Sequence, residues 1–149
     1  MVQNTQPIFT QVPEVAWALQ GTSSVITSAT TTTTPVSYDG TIGAYLLFTA
    51  DATDGSFIQK IVCEAGGTNN ASVARIWVNN GSTNATAANN SLFLQYSLPA
   101  TTASSSTATA HIEIPLNIQL PPGYSLYIGL GAAANLASGW TFIAVGGDY

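Results

Sequence analysis

Apolar residues in this chain do not hold a 3.6-residue period for long. They come in short runs rich in Val, Ile, Thr, Phe, Tyr and Trp, broken by Gly, Asn, Ser, Thr and Pro. Runs of that length and make-up suit strands rather than helices. The 149 residues are enough for one all-β domain, not two.

Strands are predicted over residues 23–28, 42–49 (IGAYLLFT), 56–64 (SFIQKIVCE), 72–79 (SVARIWVN), 92–98 (LFLQYSL), 109–120 (TAHIEIPLNIQL), 124–130 (YSLYIGL) and 140–145 (WTFIAV). In 56–64, strict alternation puts Phe57, Gln59, Ile61 and Cys63 on one face and Ile58, Lys60, Val62 and Glu64 on the other. Both faces are mixed, so the pattern does not choose the inner one. Asn79-Asn80-Gly81-Ser82 and Pro121-Pro122-Gly123 read as turns. Pro115 removes a ladder donor, which places its strand at an edge or bends it. Seven or eight short strands with turns between them indicate an antiparallel two-sheet β-sandwich, for which the jelly roll is the usual eight-stranded form. Residues 28–35 (SATTTTTP) and 101–107 (TTASSST) read as loops, and no repeat of fixed period suggests a propeller or solenoid.

Residues 1–22 read as an N-terminal arm and 23–149 as the single sandwich domain. Residues 12–19 have two readings. Pro13 and Glu14 suit a first helical turn closed by Gly21, and the same stretch could be extended. The arm carries Ile8, Phe9, Val12 and Trp17 among Gln, Asn and Pro. Four large apolar groups should not stay in water. The arm is expected either to fold back as a first strand or to dock on a neighbour, and those four residues are the candidate contacts.

Charge narrows the function. Lys60 and Arg75 are the only cations and stand against seven acids, giving a net charge of −5. Two cations cannot neutralise a run of phosphates or an anionic membrane, so neither nucleic acid nor membrane is an expected partner. No window is apolar enough for a transmembrane helix, and residues 1–14 lack the pattern of a secretory signal. Cys63 is the one cysteine, so no internal disulfide is expected.

Catalytic chemistry finds little to use, and no enzyme, cofactor or metal site is expected. His111 is the only histidine; it lies in an alternating strand beside Glu113 and reads as solvent-facing or at an interface. Without a G-x-S-x-G turn no serine has a recognisable base. Cys63, in an apolar strand, reads as a small packed hydrophobe. Glu64 and Glu113 are the possible glycosidase pair, and topology alone would decide whether they meet. Asp51 and Asp54 bracket a turn, where Asp bonds its own backbone; two carboxylates are too few for calcium. Asn70, Asn80, Asn84 and Asn89 head N-x-S/T matches of the kind an Asn/Ser/Thr-rich loop produces by chance. Trp77 and Trp140 read as core, and Trp17 as the freest of the three for stacking on a sugar.

Nearly a third of the chain is Thr, Ser and Asn, and only 6% is charged. Soluble monomers ordinarily carry a charged surface. A neutral, hydroxyl-rich surface suits close packing among identical copies, where like charges would be multiplied around a symmetry axis.

Four stretches carry a family likeness: ARIWVNNG at 74–81, SLPATT at 97–102, IEIPLNIQLPPGYSLYIGLG at 112–131 and GWTFIAVGGDY at 139–149. Together, over residues 38–149, they resemble small jelly-roll structural proteins of tailed-bacteriophage virions. The resemblance implies a capsid decoration (cement) protein, made in the bacterial host cytoplasm and sitting as a homotrimer on the outer head surface, where it bridges major capsid protein subunits. It carries over no functional residue. Head-fibre and tail proteins use similar sandwiches, and a receptor- or carbohydrate-binding role is the alternative.

Overall fold

The computed structural model describes residues 10–27, 37–131 and 138–149. Ile8, Phe9 and the 28–35 loop lie outside the described residues. Eight strands run β1 Val12–Trp17, β2 Tyr45–Thr49, β3 Ser56–Ala65, β4 Ser72–Asn79, β5 Asn90–Leu98, β6 His111–Leu120, β7 Ser125–Leu130 and β8 Trp140–Asp148. Among the described residues one 3-10 turn, Ala87–Asn89, precedes β5.

The strands form two four-stranded antiparallel sheets, β1-β8-β3-β6 and β2-β7-β4-β5, as the all-β sandwich reading requires. Pairing follows an out-and-back path. β1 lies against β8, β2 against β7, β3 against β6 and β4 against β5, so strands one to four run out and five to eight run back beside them. The ribbon then closes on itself through β3·β8 and β4·β7.

Residues 12–17 are a strand, not a helix, and all six pair with β8. Tertiary pairing overrides the helix-start signal of Pro13 and Glu14, and proline costs little on an edge strand. Residues 23–27, the described part of the strand expected over 23–28, do not form one. Ile26 makes one isolated bridge, exchanging backbone bonds of 2.8 and 2.9 Å with Trp140.

The core lies between the sheets. Ile58, Ile61, Cys63, Ile114, Trp140, Phe142 and Ala144 point inward from the first sheet and meet Leu47, Phe48, Ala74, Ile76, Leu126 and Ile128 from the second. Strict alternation in β3 is corrected here. The ladder slips between Ile58 and Lys60 against both neighbours, so Ile58 joins Ile61 and Cys63 inside while Lys60, Val62 and Glu64 stay outside. Across this slip, Pro115 pairs with Lys60 and Asn117 takes a positive φ of 50°. Pro115 therefore sits on an edge strand that is also bent.

Trp77 is fully buried, yet it lies outside this core. It faces away from Ala74 and Ile76, on the outer side of the second sheet, beneath the segment before β2. Its indole N–H donates to the Tyr38 carbonyl at 2.9 Å, and Gly40 crosses so close that a Cβ there would lie 3.1 Å from the ring. The Arg75 guanidinium stacks 3.9 Å from the Tyr38 ring centre and donates from Nε to Gln95 at 3.2 Å. One of the chain's two cations is thus covered, and Lys60 is the one presented to solvent.

Candidate functional site

The outer face of the first sheet gathers most of the distinctive side chains. Cross-strand register gives its rows. Val15, Val145, Lys60 and Pro115 form one, Trp17, Ile143, Val62 and Glu113 the next, and Thr141, Glu64 and His111 a third. The β1–β8 half of the face is apolar and the β3–β6 half is charged.

On the apolar half, Val15 and Trp17 are each 56% exposed, and Ile143, Val145 and Val62 are half-buried beside them. An exposed tryptophan standing over a row of aliphatic side chains departs from the usual outer face of an antiparallel sheet, which is polar. A shallow depression of about 350 Å³ lies beside Trp17, lined by Ser24, Thr141 and Ile143. Val12 is 57% exposed as well, but alternation along β1 turns it to the opposite side of the strand from Trp17. The two described candidate contact residues are therefore both accessible and do not share a face.

On the charged half, Lys60 Nζ donates to Glu113 Oε1 at 2.5 Å. His111 Nδ1 is paired with Glu64, and its Nε2 faces Glu113 at 3.8 Å. Topology does bring Glu64 and Glu113 to one place, with the histidine between them. The hydrogen bond to Glu64 is the main reason the His111 pKa is raised above its ordinary value, with both carboxylates adding charge attraction. Lys60 holds the Glu113 carboxyl below the usual range, by hydrogen bond first and charge second.

This arrangement can carry charge and exchange protons with solvent. It has none of the enclosure that strengthens acid–base catalysis, because all four side chains are substantially exposed on an open sheet. His111 has a carboxylate toward each ring nitrogen, which makes it an ion-pair member. Among the described residues no three His, Cys, Asp or Glu side chains converge on a metal position. Cys63 lies inside, where burial and then Glu64 push its thiol up to about 12. Asp51 Oδ1 accepts the backbone N–H groups of Thr53 and Asp54, both at 2.8 Å, and forms the turn read from the sequence.

A second concavity, of about 490 Å³, opens where β1 and β2 approach each other at the side of the sandwich. Glu14, Ala16, Leu19, Leu46 and Phe48 are among its lining. Leu19 and Leu46 are 45% and 46% exposed there.

Sequence reasoning singled out Trp17 but missed Val15, Ile143 and Val145, which complete its surface. The available signal was in β8: WTFIAV is apolar at nearly every position, so both of its faces needed apolar surroundings. No family model, curated protein or solved structure matches this chain.

Proposed function

We propose that this chain is a non-enzymatic structural protein of a phage particle: a capsid decoration protein that binds the outer head surface as a homotrimer and stabilises the shell. The winding of the chain supports the reading, since eight strands laid out and back in two sheets suit a jelly roll. The observation that carries it is the apolar half-face of the first sheet, where Val15 and Trp17 stand exposed over Ile143 and Val145. A rigid apolar surface bordered by a few fixed charges is suited to another protein surface. Lys60, Glu64, His111 and Glu113 would set the docking register along its border. The role is mechanical: contact area added across a capsomer seam opposes separation of the shell subunits.

The test is cofractionation with purified heads. The wild-type chain is expected to bind at a stoichiometry set by the shell lattice, and Val15→Asp with Trp17→Asp should abolish binding while leaving the sandwich folded. Undiminished binding by that double variant would refute the surface. A second reading has one observation in its favour, the exposed Trp17 indole beside the hydroxyls of Ser24 and Thr141. Such a site can stack a sugar ring, as in a receptor-binding fibre or tail protein. Saturable glycan binding lost in Trp17→Ala, without any head binding, would favour it.

A further inference from the structure

The two sheets treat their edges differently. Each edge strand of the first sheet contains a proline, Pro13 in β1 and Pro115 in β6. A proline interrupts the row of donors that an incoming strand would need. The second sheet ends in β2 (YLLFT) and β5 (NSLFLQYSL), and neither has a proline or a charged residue.

The phase of these open edges follows from two backbone hydrogen bonds. Gly131 N–H donates to the Val73 carbonyl at 2.7 Å, so Val73 faces β7 and its neighbour Ala74 faces β5. Ala74 pairs with Tyr96, so alternation turns the backbone groups of Gln95 and Ser97 outward. Likewise Ala50 N–H donates to the Tyr124 carbonyl, which turns Thr49 outward on β2. The β5 ladder is irregular between Ile76 and Trp77, leaving Phe93 without a partner; beyond it, residues 94–98 pair regularly. Phe93 is 45% and Tyr96 38% exposed.

The occupant is indicated by charge and by shape. From residue 76 to residue 112 the chain has no Lys, Arg, Asp or Glu. Two copies, each carrying −5, can meet along β5 without like-charge repulsion. β2, the other unguarded edge, borders the groove lined by Ala16, Trp17, Leu19, Leu46 and Phe48, with Glu14 and Thr49 as its polar members. One edge of the second sheet therefore offers exposed aromatic rings, and the opposite edge offers a recess that is apolar over most of its lining.

We propose that β5 of one copy adds to the free edge of β2 in the next, with Phe93 and Tyr96 reaching toward the β1/β2 groove. A head-to-tail contact of this kind closes into a ring when repeated around an axis. The inference rests on the homotrimer reading and supplies its interface.

Light scattering on the full chain and on two edge-blocked variants tests it. Ser97→Pro blocks β5 and Thr49→Pro blocks β2, each at an outward-facing backbone position; Ser97→Lys and Thr49→Lys serve if a proline variant fails to fold. The wild-type chain is expected at three copies and each variant at one. Mixing the two variants is expected to give a one-to-one pair, because each retains the edge that the other lacks. A wild-type monomer, or a mixture that stays monomeric, would overturn the pairing. So would a Thr49 variant that dimerises alone, since that would mean β5 pairs with itself. A trimer with this behaviour that ignores purified heads would refute the decoration role and leave the interface standing.

Discussion

Asn69 holds Gly139 from both sides. Its Nδ2 donates to the Gly139 carbonyl at 2.9 Å and its Oδ1 accepts the Gly139 N–H at 2.7 Å, across 70 residues of chain. The same amide nitrogen reaches Thr101 Oγ1 at 3.3 Å, and the same oxygen accepts from Ser138 N–H at 3.2 Å. Asn69 is 4% exposed, so these bonds substitute for water at the entrance to β8.

Replacing Asn69 with Leu leaves the buried Gly139 N–H without its partner and leaves the Gly139 carbonyl with the Gly66 N–H alone, at 2.9 Å. The expected loss is ~2–4 kcal/mol in urea unfolding. Asn69→Asp keeps the acceptor but sets a carboxylate against the Gly139 carbonyl, and should be at least as damaging above pH 5. A change under ~0.5 kcal/mol for the leucine variant would show that loop relaxation or water replaces the side chain.

The charged ladder has a pH window with two sides. His111 is raised above 6.5, so its contribution to stability is complete below that value and lost as pH climbs through the folded-state pKa. Glu113 is lowered below 4.5, so its contribution is complete above that value and lost as pH falls through the folded-state pKa. The ladder is therefore strongest between about pH 4.5 and 6.5. An NMR titration of the imidazole should give a midpoint above 6.5 in the wild type and a lower one in Glu64→Gln. An unchanged midpoint would remove Glu64 as the cause.

Gly146 is required by close approach alone. A Cβ there would lie 2.2 Å from the Phe57 carbonyl oxygen and 3.1 Å from the Ile58 Cα, where β8 crosses β3. Gly146→Ala must push these strands apart, and the expected cost is ~2–3 kcal/mol. Thermal melting would check it, and a wild-type melting point would mean that the ladder slip absorbs the methyl group.

Cys63 is expected to resist thiol reagents in the folded protein, since its thiol is fully buried and held near 12. Labelling should appear only as denaturant opens the sandwich, at the rate of the global transition. Rapid labelling in native buffer would mean that β3 opens locally.

The covering of Trp77 predicts a local effect. Trp77→Phe removes the N–H that reaches Tyr38 but keeps an apolar ring in the site. The expected loss is ~1–2 kcal/mol, with proteolytic cleavage near residues 37–44 appearing before the body unfolds.

Seven of the eight strands were legible because each is a short β-branched or aromatic run closed by Gly, Pro, Asn or Ser. β1 was ambiguous because its local signals, Pro13 and Glu14, also suit a helix; only its ladder with β8 decides the matter. Residues 23–28 misled because apolar Val25 and Ile26 look like a strand, whereas burial of Ile26 needs a single bridge to Trp140. The sides of β3 were not legible because alternation assumes no slip, and this ladder slips at Lys60. The meeting of Glu64, His111 and Glu113 was likewise out of reach, since it depends on which strand neighbours β3. Trp77 was legible as buried, although what buries it is a chain segment some 39 residues away.

The out-and-back path also constrains how the protein is made. Of the eight described strands β1 is made first, yet the strand it pairs with is β8, the last of them. β8 then enters between β1 and β3 and completes both ladders at once. Until β8 has been made, the nascent first sheet has a gap between β1 and β3, and β1 has no strand to pair with.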